Sequence, residues 1–547
     1  MRPYRLSLVG VLLGAALLAL FPLRSDDIFM HLAVGRRILQ EGWHFADPDP
    51  FLYSLPGHRT EFLNQWGTHL LAFGLYRLGG FSLLVVFKAL LVVVGASAPF
   101  WLAARLEVRS FLVPALSLLA LWAGCDRFIE RSSLFSDVAG AGVLALVGAE
   151  LHQPSRRRWL LPPIFLLWAN VHTGFLTGLF FVFLGGLTQW RAARRWFPLA
   201  LACLLACSIH PRGPALVASV LHDVAGSGYQ AYRQANFEWL STLDSRALQT
   251  REVQRLLVLL AAVTGLIIWR GWHRRAVPWF SLLVLIALAY LGQSAIRFVT
   301  TVSFALPVLV VDLLADSPLP LSFRRERALQ GAVLLLALGL CVKVAEGGYV
   351  TKSGPRHLGL GLDDTRLPLM AADYVHSLPL TGHLFNEHEF GSLLAWRFDG
   401  KPPLYYHGFV DDLAFYERDY LGVNRSPEDF AQIVDHYQID LFFLRRRTVT
   451  PTAGPLLHQI LLTAPMWKLI YWDDSAMVFL RDRPQYRKIL ERDEIHYLDP
   501  FRPDRLDVGL QRSPGEVRAE ALRLLHYNPS NRMAQDFFRV VLKEDPR

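Results

Sequence analysis

The sequence predicts a polytopic α-helical membrane protein with about eleven transmembrane helices, followed by a C-terminal α/β domain and a short helical tail. The 547-residue chain is 52% hydrophobic and has a mean hydropathy of +0.28, which is too apolar for a soluble enzyme of this size. Its apolar residues form runs that are long enough to cross a bilayer. Arginines lie in short clusters between those runs, which is typical of a topology signal.

The apolar runs define the predicted spans. The first run, residues 6–23, follows Arg2 and Arg5 and is similar in composition to a signal peptide. It has no small-residue cleavage site before Asp26, so we predict a retained first helix. The other spans are predicted near residues 82–104, 110–125, 134–150, 158–171, 174–189, 196–210, 255–270, 277–293, 298–315 and 328–345.

Charge orients these spans. With the N-terminus in the cytoplasm, every predicted cytoplasmic connection is arginine-rich, as the positive-inside rule expects. The clusters are Arg105 and Arg109; Arg156, Arg157 and Arg158; Arg191, Arg194 and Arg195; Arg270, Arg274 and Arg275; and Arg324, Arg325 and Arg327. This orientation requires 158–189 to be two helices that turn at 170–174. It accounts for the net charge of +9 without nucleic acid, and it predicts an inner-membrane protein whose C-terminal domain is extracytoplasmic, or periplasmic.

We predict three regions along the chain. Residues 1–345 form the transmembrane domain, with its first external loop at 24–81, and residues 346–485 form the α/β domain. Predicted strands are 383–386, 403–407, 440–444, 467–472 and 476–480, and predicted helices lie near 365–378, 389–398, 427–437 and 453–463. The tail, 486–547, has two helical halves around 528–531. It is either one tetratricopeptide-like pair or a packed helical hairpin.

The acidic pair Asp26-Asp27 directly follows the first span and precedes an amphipathic stretch, 28–40. Two adjacent carboxylates at a membrane boundary repel each other, and burial would raise their pKa values. Such a pair suits a general base or a metal ligand. It equally suits an ordinary helix N-terminus, with Ser25 as the cap and the acids favoured by the helix dipole. The dipeptide alone leaves both interpretations open.

The other polar residues near the predicted spans gather at the external ends. They are His31, Asp126, Arg127, Glu130, Arg131, Asp137, Asn170, His172, His210, Arg212, Glu238 and Arg297. The helix centres carry almost no charge, with Lys88 as the main exception. An ion or proton pathway would need polar groups at mid-depth. The pattern therefore favours a site at the external surface of the membrane that the predicted spans cross.

These features together resemble the GT-C superfamily of membrane glycosyltransferases. The resemblance rests on the acidic pair, a long first external loop with amphipathic helices at 28–40 and 61–78, short paired central spans and an external C-terminal domain. It covers the architecture of most of the chain and is most specific over 1–210. The segments 168–174 and 127–137 look like segments of uncharacterised bacterial members. Enzymes of this group use sugars carried on polyprenyl phosphates, with a catalytic acidic residue in the first external loop.

The resemblance implies a glycosyltransferase that moves a sugar, with inversion, from a polyprenyl-phosphate or diphosphate donor to a hydroxyl or amide of a lipid, glycan or protein acceptor. Asp26 would act as the base, with Asp27 as its partner or substitute. The candidate substrate-binding residues are His31, Arg131, Asn170, His172, Arg212, Glu238 and Arg297. A guanidinium matches phosphate in a bidentate fork, although snorkelling or pairing with an acid would also explain these arginines.

Several points stay open at this level. A divalent metal, Mg or Mn, would be held by Asp26, Asp27 and Asp137 if one is used; the Asp-x-Asp of some family members is absent from the second external loop. The segment Asp47-Pro48-Asp49 in the first external loop matches the Asp-x-Asp pattern, but a proline between two aspartates more often marks a turn. The segment 386–391 is similar in position to the Trp-Trp-Asp-Tyr-Gly segment of oligosaccharyltransferases, without its tryptophans.

The alternatives to a glycosyltransferase are a lipid or polysaccharide transporter or flippase, and a catalytically inactive GT-C-like assembly scaffold.

Overall fold

The computed structural model describes residues 2–42, 48–225, 237–317, 319–347, 349–351, 354–410, 412–447 and 454–542. The chain folds into two compact units. The first unit contains Met1–Ser25 and Phe62–Leu362, and the second contains Asp26–Glu61 and Asp363–Arg547. The loop after the first helix therefore belongs largely to the second unit, whereas the sequence prediction grouped all of 24–81 with the transmembrane domain.

Helices stand at the place of every predicted span in the first unit. Their bounds are Arg2–Ala19, Trp66–Arg105, Leu112–Gly124, Ser133–His152, Leu161–Val171, Phe175–Thr188, Ala193–Cys207, Arg251–Arg274, Trp279–Ser294, Val299–Ala315 and Phe323–Ala345, with shorter helices at Ala215–Ala225 and Ser245–Leu248. Among the described residues, five helical stretches are long and apolar enough to cross a membrane by length and composition. A helical membrane domain with several spans is thus confirmed, and the count of eleven stays a prediction.

The helix Val299–Ala315 forms the centre of this bundle. Nearly all of its side chains are buried, because it is apolar on every face and packs against the helices Leu112–Gly124, Ser133–His152 and Arg251–Arg274. The helix is thus surrounded by other helices of the bundle, three of which are Leu112–Gly124, Ser133–His152 and Arg251–Arg274.

Two predicted breaks in the helices are confirmed. The helix Leu161–Val171 ends at His172, whose backbone is extended, and Phe175–Thr188 begins after Gly174, so 158–189 is two helices. A side chain at Gly174 would meet Ser136 Oγ at 2.3 Å, which explains the glycine at this turn. The helix Trp66–Arg105 is interrupted at Gly79 and Gly80, where Gly80 has a φ of 62°. The amphipathic stretch and the following span are therefore distinct segments.

A small hairpin extends the first unit beyond the predicted boundary at 345. Its strands are β1 (Tyr349–Thr351) and β2 (Gly354–Arg356), which pair antiparallel. The side chain of Arg356 is completely buried, and its guanidinium donates to the carbonyl oxygens of Cys125 and Asp126 at 2.7 and 2.6 Å. These bonds fix the hairpin to the first unit, which explains why that unit continues to Leu362.

The second unit is built on a four-stranded mixed sheet. Its strands are β3 (His383–Asn386), β4 (Ile439–Arg445), β5 (Trp467–Trp472) and β6 (Ala476–Arg481), in the order β3-β4-β6-β5. β3 and β4 are parallel and the other neighbours are antiparallel. The predicted strand at 403–407 is wrong: only Leu404 forms an isolated bridge, with Leu52. Pro402 and Pro403 lack the N–H groups that a strand needs.

Helices surround this sheet within the same unit. They are Asp27–Glu41, Leu369–Ser377, Gly391–Phe398, Pro427–His436, Leu456–Thr463, Arg487–Asp493, Pro503–Arg512, Pro514–Tyr527 and Arg532–Asp536. The tail is joined to the sheet region by hydrogen bonds: the amide of Asn531 donates to Trp472 O, and Trp472 Nε1 donates to Leu498 O. The tail is therefore an integral part of the second unit.

Candidate functional site

Three arginines of the first unit surround one short turn. We call Arg127, Arg131 and Arg297 the arginine cluster. Glu238 Oε2 accepts from Arg131 Nη1 and, at 3.4 Å, from Arg127 Nη2. The guanidinium of Arg297 lies 4.2 Å from the ring centre of Trp239. Glu238 and Trp239 belong to the single 3-10 turn Phe237–Trp239, so one turn presents an anion and an aromatic face to three cations.

The electrostatics of this cluster favour an anion. Burial by itself raises the pKa of Glu238, but Arg131 and Arg127 outweigh it and hold that pKa well below its usual range. Arg127 and Arg297 also act electrostatically on Asp137, whose Oδ1 accepts a hydrogen bond from the Thr301 hydroxyl. Three guanidinium groups thus face two carboxylates. The structure brings together four predicted site residues, namely Arg131, Asp137, Glu238 and Arg297.

A second polar group in the first unit joins three loops. Asn170 Oδ1 accepts from Trp66 Nε1 at 2.6 Å, and its amide nitrogen donates to Ile209 O at 2.9 Å. Arg212 Nη1 donates to Asn64 Oδ1 at 2.6 Å. These bonds connect the segments at 64–66, 170 and 209–212. The substrate-binding roles of Asn170 and Arg212 stay predictions.

His172 is oriented by its neighbours at the tip of the helical hairpin. Its Nδ1 accepts from Gly174 N at 3.0 Å and lies 2.6 Å from Ser136 Oγ, which itself accepts from Trp168 Nε1 at 2.7 Å. Because Gly174 N–H can only donate, Nδ1 is an acceptor, and a neutral imidazole carries its proton on Nε2. Ser136 directly precedes Asp137 in the helix Ser133–His152.

Asp26 lies in the second unit, where it caps a helix of the C-terminal region. Its two carboxylate oxygens accept the main-chain N–H groups of Ser392 and Leu393 at 2.9 and 2.8 Å, in the first turn of Gly391–Phe398. Burial raises the pKa of Asp26 to about 7, although the two N–H donors lower it and the neighbouring Asp27 raises it further. The carboxylate is therefore held in one orientation and titrates near neutrality.

Asp27 and His31 belong to the same unit. Asp27 is the first residue of the helix Asp27–Glu41, and its charge acts on His388 in the 3-10 turn after β3. Burial lowers the pKa of His388, while Asp27 raises it to a smaller extent. His31 is 2% exposed, its ring packs against Phe409, and burial lowers its pKa to about 3. His31 is therefore neutral, and its role in substrate binding stays a prediction.

A buried charge network in the first unit was not predicted as a group. Lys88 Nζ lies 3.3 Å from Glu130 Oε2, and both side chains are almost fully buried. Glu130 Oε1 accepts from the main-chain N–H groups of Arg24 and Ser25 at 2.5 and 2.6 Å. Lys88 Nζ is also 3.5 Å from the centre of the Phe21 ring. The only sequence signal for this network was the lone lysine inside an apolar span.

The metal site suggested at Asp26, Asp27 and Asp137 stays a prediction. Among the described parts of the chain, there is no group of three or more His, Cys, Asp or Glu side chains placed to hold a metal ion. Both carboxylate oxygens of Asp26 accept main-chain N–H groups. Asp49 pairs with the buried His407 at 3.0 Å, and Asp47 lies outside the described residues. Metal dependence stays open.

Comparison with known proteins gives a fold. No protein-family model and no curated protein sequence matches the chain. Solved structures do match. One is the oligosaccharyltransferase AglB from Archaeoglobus fulgidus in complex with an inhibitory peptide and a dolichol-phosphate, with 11% identity and a TM-score of 0.51, over 80% of this chain and 69% of that one.

Two further structures agree. ArnT from Cupriavidus metallidurans bound to undecaprenyl phosphate is 13% identical, with a TM-score of 0.51, over 87% of this chain and 97% of that one. The arabinofuranosyltransferase AftD from Mycobacteria is 14% identical, with a TM-score of 0.50, over 88% of this chain and 40% of that one. All three are GT-C membrane glycosyltransferases. The chain has the GT-C fold, and the resemblance inferred from the sequence is confirmed.

Proposed function

We propose that this protein is a GT-C glycosyltransferase that transfers a sugar from a polyprenyl-phosphate or diphosphate donor to an acceptor hydroxyl or amide at the outer face of the inner membrane. The arginine cluster is the observation that carries the proposal. Its guanidinium groups are half-buried at the ends of membrane helices, where the phosphate of a membrane-anchored donor would lie. The fold shared with enzymes solved with dolichol-phosphate and undecaprenyl phosphate supports the same class of donor.

In the proposed reaction, the carboxylate of Asp26 accepts the proton of the acceptor hydroxyl. The acceptor oxygen forms a bond to the anomeric carbon while the bond from that carbon to the donor phosphate breaks, so the anomeric centre is inverted. The departing phosphate gains one negative charge, and the arginine cluster stabilises it. The fixed orientation of Asp26 and its pKa of about 7 support the role of base, because a base is most effective when its pKa is near the working pH.

The proposal is tested by incubating purified protein with a panel of radiolabelled polyprenyl-phosphate sugars and measuring transfer, with and without EDTA. We expect transfer from at least one donor by the wild-type protein and none by Asp26→Asn. The matched control is Asp364→Asn, which removes an exposed carboxylate of the second unit. If no donor supports transfer although the protein is folded, the enzymatic proposal is wrong. Loss of transfer in EDTA would establish metal dependence.

A second candidate function follows from the cap that Asp26 forms. A carboxylate that holds a helix N-terminus is useful without catalysis, so a catalytically inactive scaffold is the alternative. Asn at this position offers one acceptor oxygen and loses one N–H bond, which costs about 1 kcal/mol. A scaffold predicts that Asp26→Asn loses only this stability. An enzyme predicts that transfer per folded molecule also disappears.

A further inference from the structure

Glu238 and the proposed donor phosphate have the same binding partners. A single carboxylate oxygen of Glu238 takes hydrogen bonds from both Arg131 and Arg127. A phosphate group presents several charged oxygens and can therefore engage each guanidinium through a separate oxygen. The two anions compete for the same donors, since an N–H group that points at Glu238 is not available to the phosphate.

Exposure makes this exchange feasible. The side chains of Arg131 and Glu238 are 27% and 31% exposed, so water reaches the ion pair. An ion pair at this depth is only moderately favourable, because the medium screens it and the free partners are hydrated. By contrast, Asp137 is buried and hydrogen-bonded to Thr301, so it is the less exchangeable of the two acids near the cluster.

We infer that Glu238 is an internal stand-in for the lipid phosphate: it holds Arg127 and Arg131 in place in the empty site, is displaced when the polyprenyl phosphate binds, and returns when the carrier leaves. This inference rests on the proposed function, in which the arginine cluster binds the donor. It assigns Glu238 a part in releasing the product carrier, because the carboxylate recovers its ion pairs as the phosphate departs. Trp239 keeps Arg297 stacked on the same turn throughout.

If Glu238 competes with the phosphate, removing its charge should raise the affinity of the protein for the carrier. Replacing an acidic residue of a binding site with its neutral amide should strengthen binding of the carrier. For Glu238→Gln, we expect the Kd for undecaprenyl phosphate to fall about 5-fold, because a half-exposed ion pair no longer competes. Binding of undecaprenol, which lacks the phosphate, should not change. The maximal rate of transfer should fall as carrier release slows.

The experiment is a titration of purified full-length protein in detergent with undecaprenyl phosphate and, separately, with undecaprenol. The matched control is Glu346→Gln, which removes an exposed carboxylate of the same unit and should leave both affinities unchanged. Glu238→Asp keeps the charge but shortens the side chain, so it should strengthen phosphate binding by less than Glu238→Gln. This variant preserves the test if the amide variant does not fold.

The outcomes separate the two proposals. Unchanged or weaker binding of undecaprenyl phosphate by Glu238→Gln would overturn the stand-in role and make Glu238 a support for the arginines. If the wild-type protein binds undecaprenyl phosphate no better than undecaprenol, the proposed donor site itself fails. A rise in affinity that is equal for both lipids would also count against the inference, because the phosphate would not be the group that Glu238 excludes.

Discussion

Glu130 and Glu238 are two acids of the first unit with opposite surroundings. Each is bound by cationic side chains, but the side chains of Glu130 and Lys88 are 3% and 2% exposed, whereas those of Glu238 and Arg131 are 31% and 27% exposed. Glu130 also accepts two main-chain N–H groups of the segment that leads to the acidic pair. Glu130 is buried and fixes the backbone. Glu238 is half-exposed and contacts arginines that a ligand could bind in its place.

This difference shows why similar chemistry gives different functions. A buried ion pair has already lost its water, so removing one partner leaves an uncompensated charge in the interior. A half-exposed pair regains water when it opens, so its opening costs little. The first arrangement suits a structural joint and the second suits an exchangeable site.

The largest effect is expected at the buried pair. Lys88→Met should reduce the free energy of unfolding by about 3–5 kcal/mol, because Glu130 would remain charged and buried without its partner. Combining it with Glu130→Gln should cost less than the sum of the two single changes. The measurement is thermal or denaturant unfolding in detergent. A loss below about 1 kcal/mol for Lys88→Met would contradict the structural role of the pair.

The arginine cluster should show the opposite behaviour. Arg297→Ala should weaken binding of a polyprenyl-phosphate donor about 10-fold or more, because a charge-assisted contact is lost. Stability should fall by about 0.5–2 kcal/mol, because the stacking of Arg297 on Trp239 is also lost. Arg191→Ala, which removes an exposed arginine of the same unit, is the control for net charge. Unchanged donor affinity in Arg297→Ala would remove Arg297 from the site.

The pH dependence of transfer tests the role of a third carboxylate, that of Asp26. A base acts only when it is ionised, so kcat/KM should fall as the pH drops through about 7. Asp27→Asn removes a like charge that raises the pKa of Asp26, and the acidic limb of the profile should therefore move to lower pH. A profile that does not move would indicate that the limb reports another group.

Salt should produce the smallest effect. Between about 50 and 500 mM salt, screening should weaken donor binding at the half-exposed cluster and leave unfolding of the Lys88–Glu130 region unchanged. Isothermal titration and unfolding at both salt concentrations would compare the two directly. Equal sensitivity of the two measurements would mean that the clusters do not differ in solvent access.

Local pattern was enough to predict the segments but not the partners. The lengths of the apolar runs located the helices, and the polar residues at 170–174 located the turn of the hairpin. Both signals are local in the sequence. Prolines at 402 and 403 were the local signal missed in the strand prediction at 403–407. Contacts such as Arg131 with Glu238, 107 positions apart, and Asp26 with Ser392, 366 positions apart, leave no trace in local periodicity.

The roles of individual residues also depend on contacts between distant parts of the sequence. The sequence left open a general base or an ordinary helix N-terminus with Ser25 as the cap, and only the folded chain shows that Asp26 caps a different helix, Gly391–Phe398. Lys88 was recognisable as an exception within an apolar span, but its partner and the backbone groups that it helps to fix depend on tertiary packing. Arg127 was one of several arginines at the external ends, and its selection required the position of Glu238.

The discontinuous second unit has a consequence for biosynthesis. Residues 26–61 are made early, but the strands and helices with which they form a unit begin only at Asp363. At about 5–20 residues per second, the ribosome adds the intervening chain in roughly 15–60 s. During that interval, Asp26 has no helix to cap and Asp49 has no His407 to pair with. The early loop therefore completes its unit only after the C-terminal region has been synthesised.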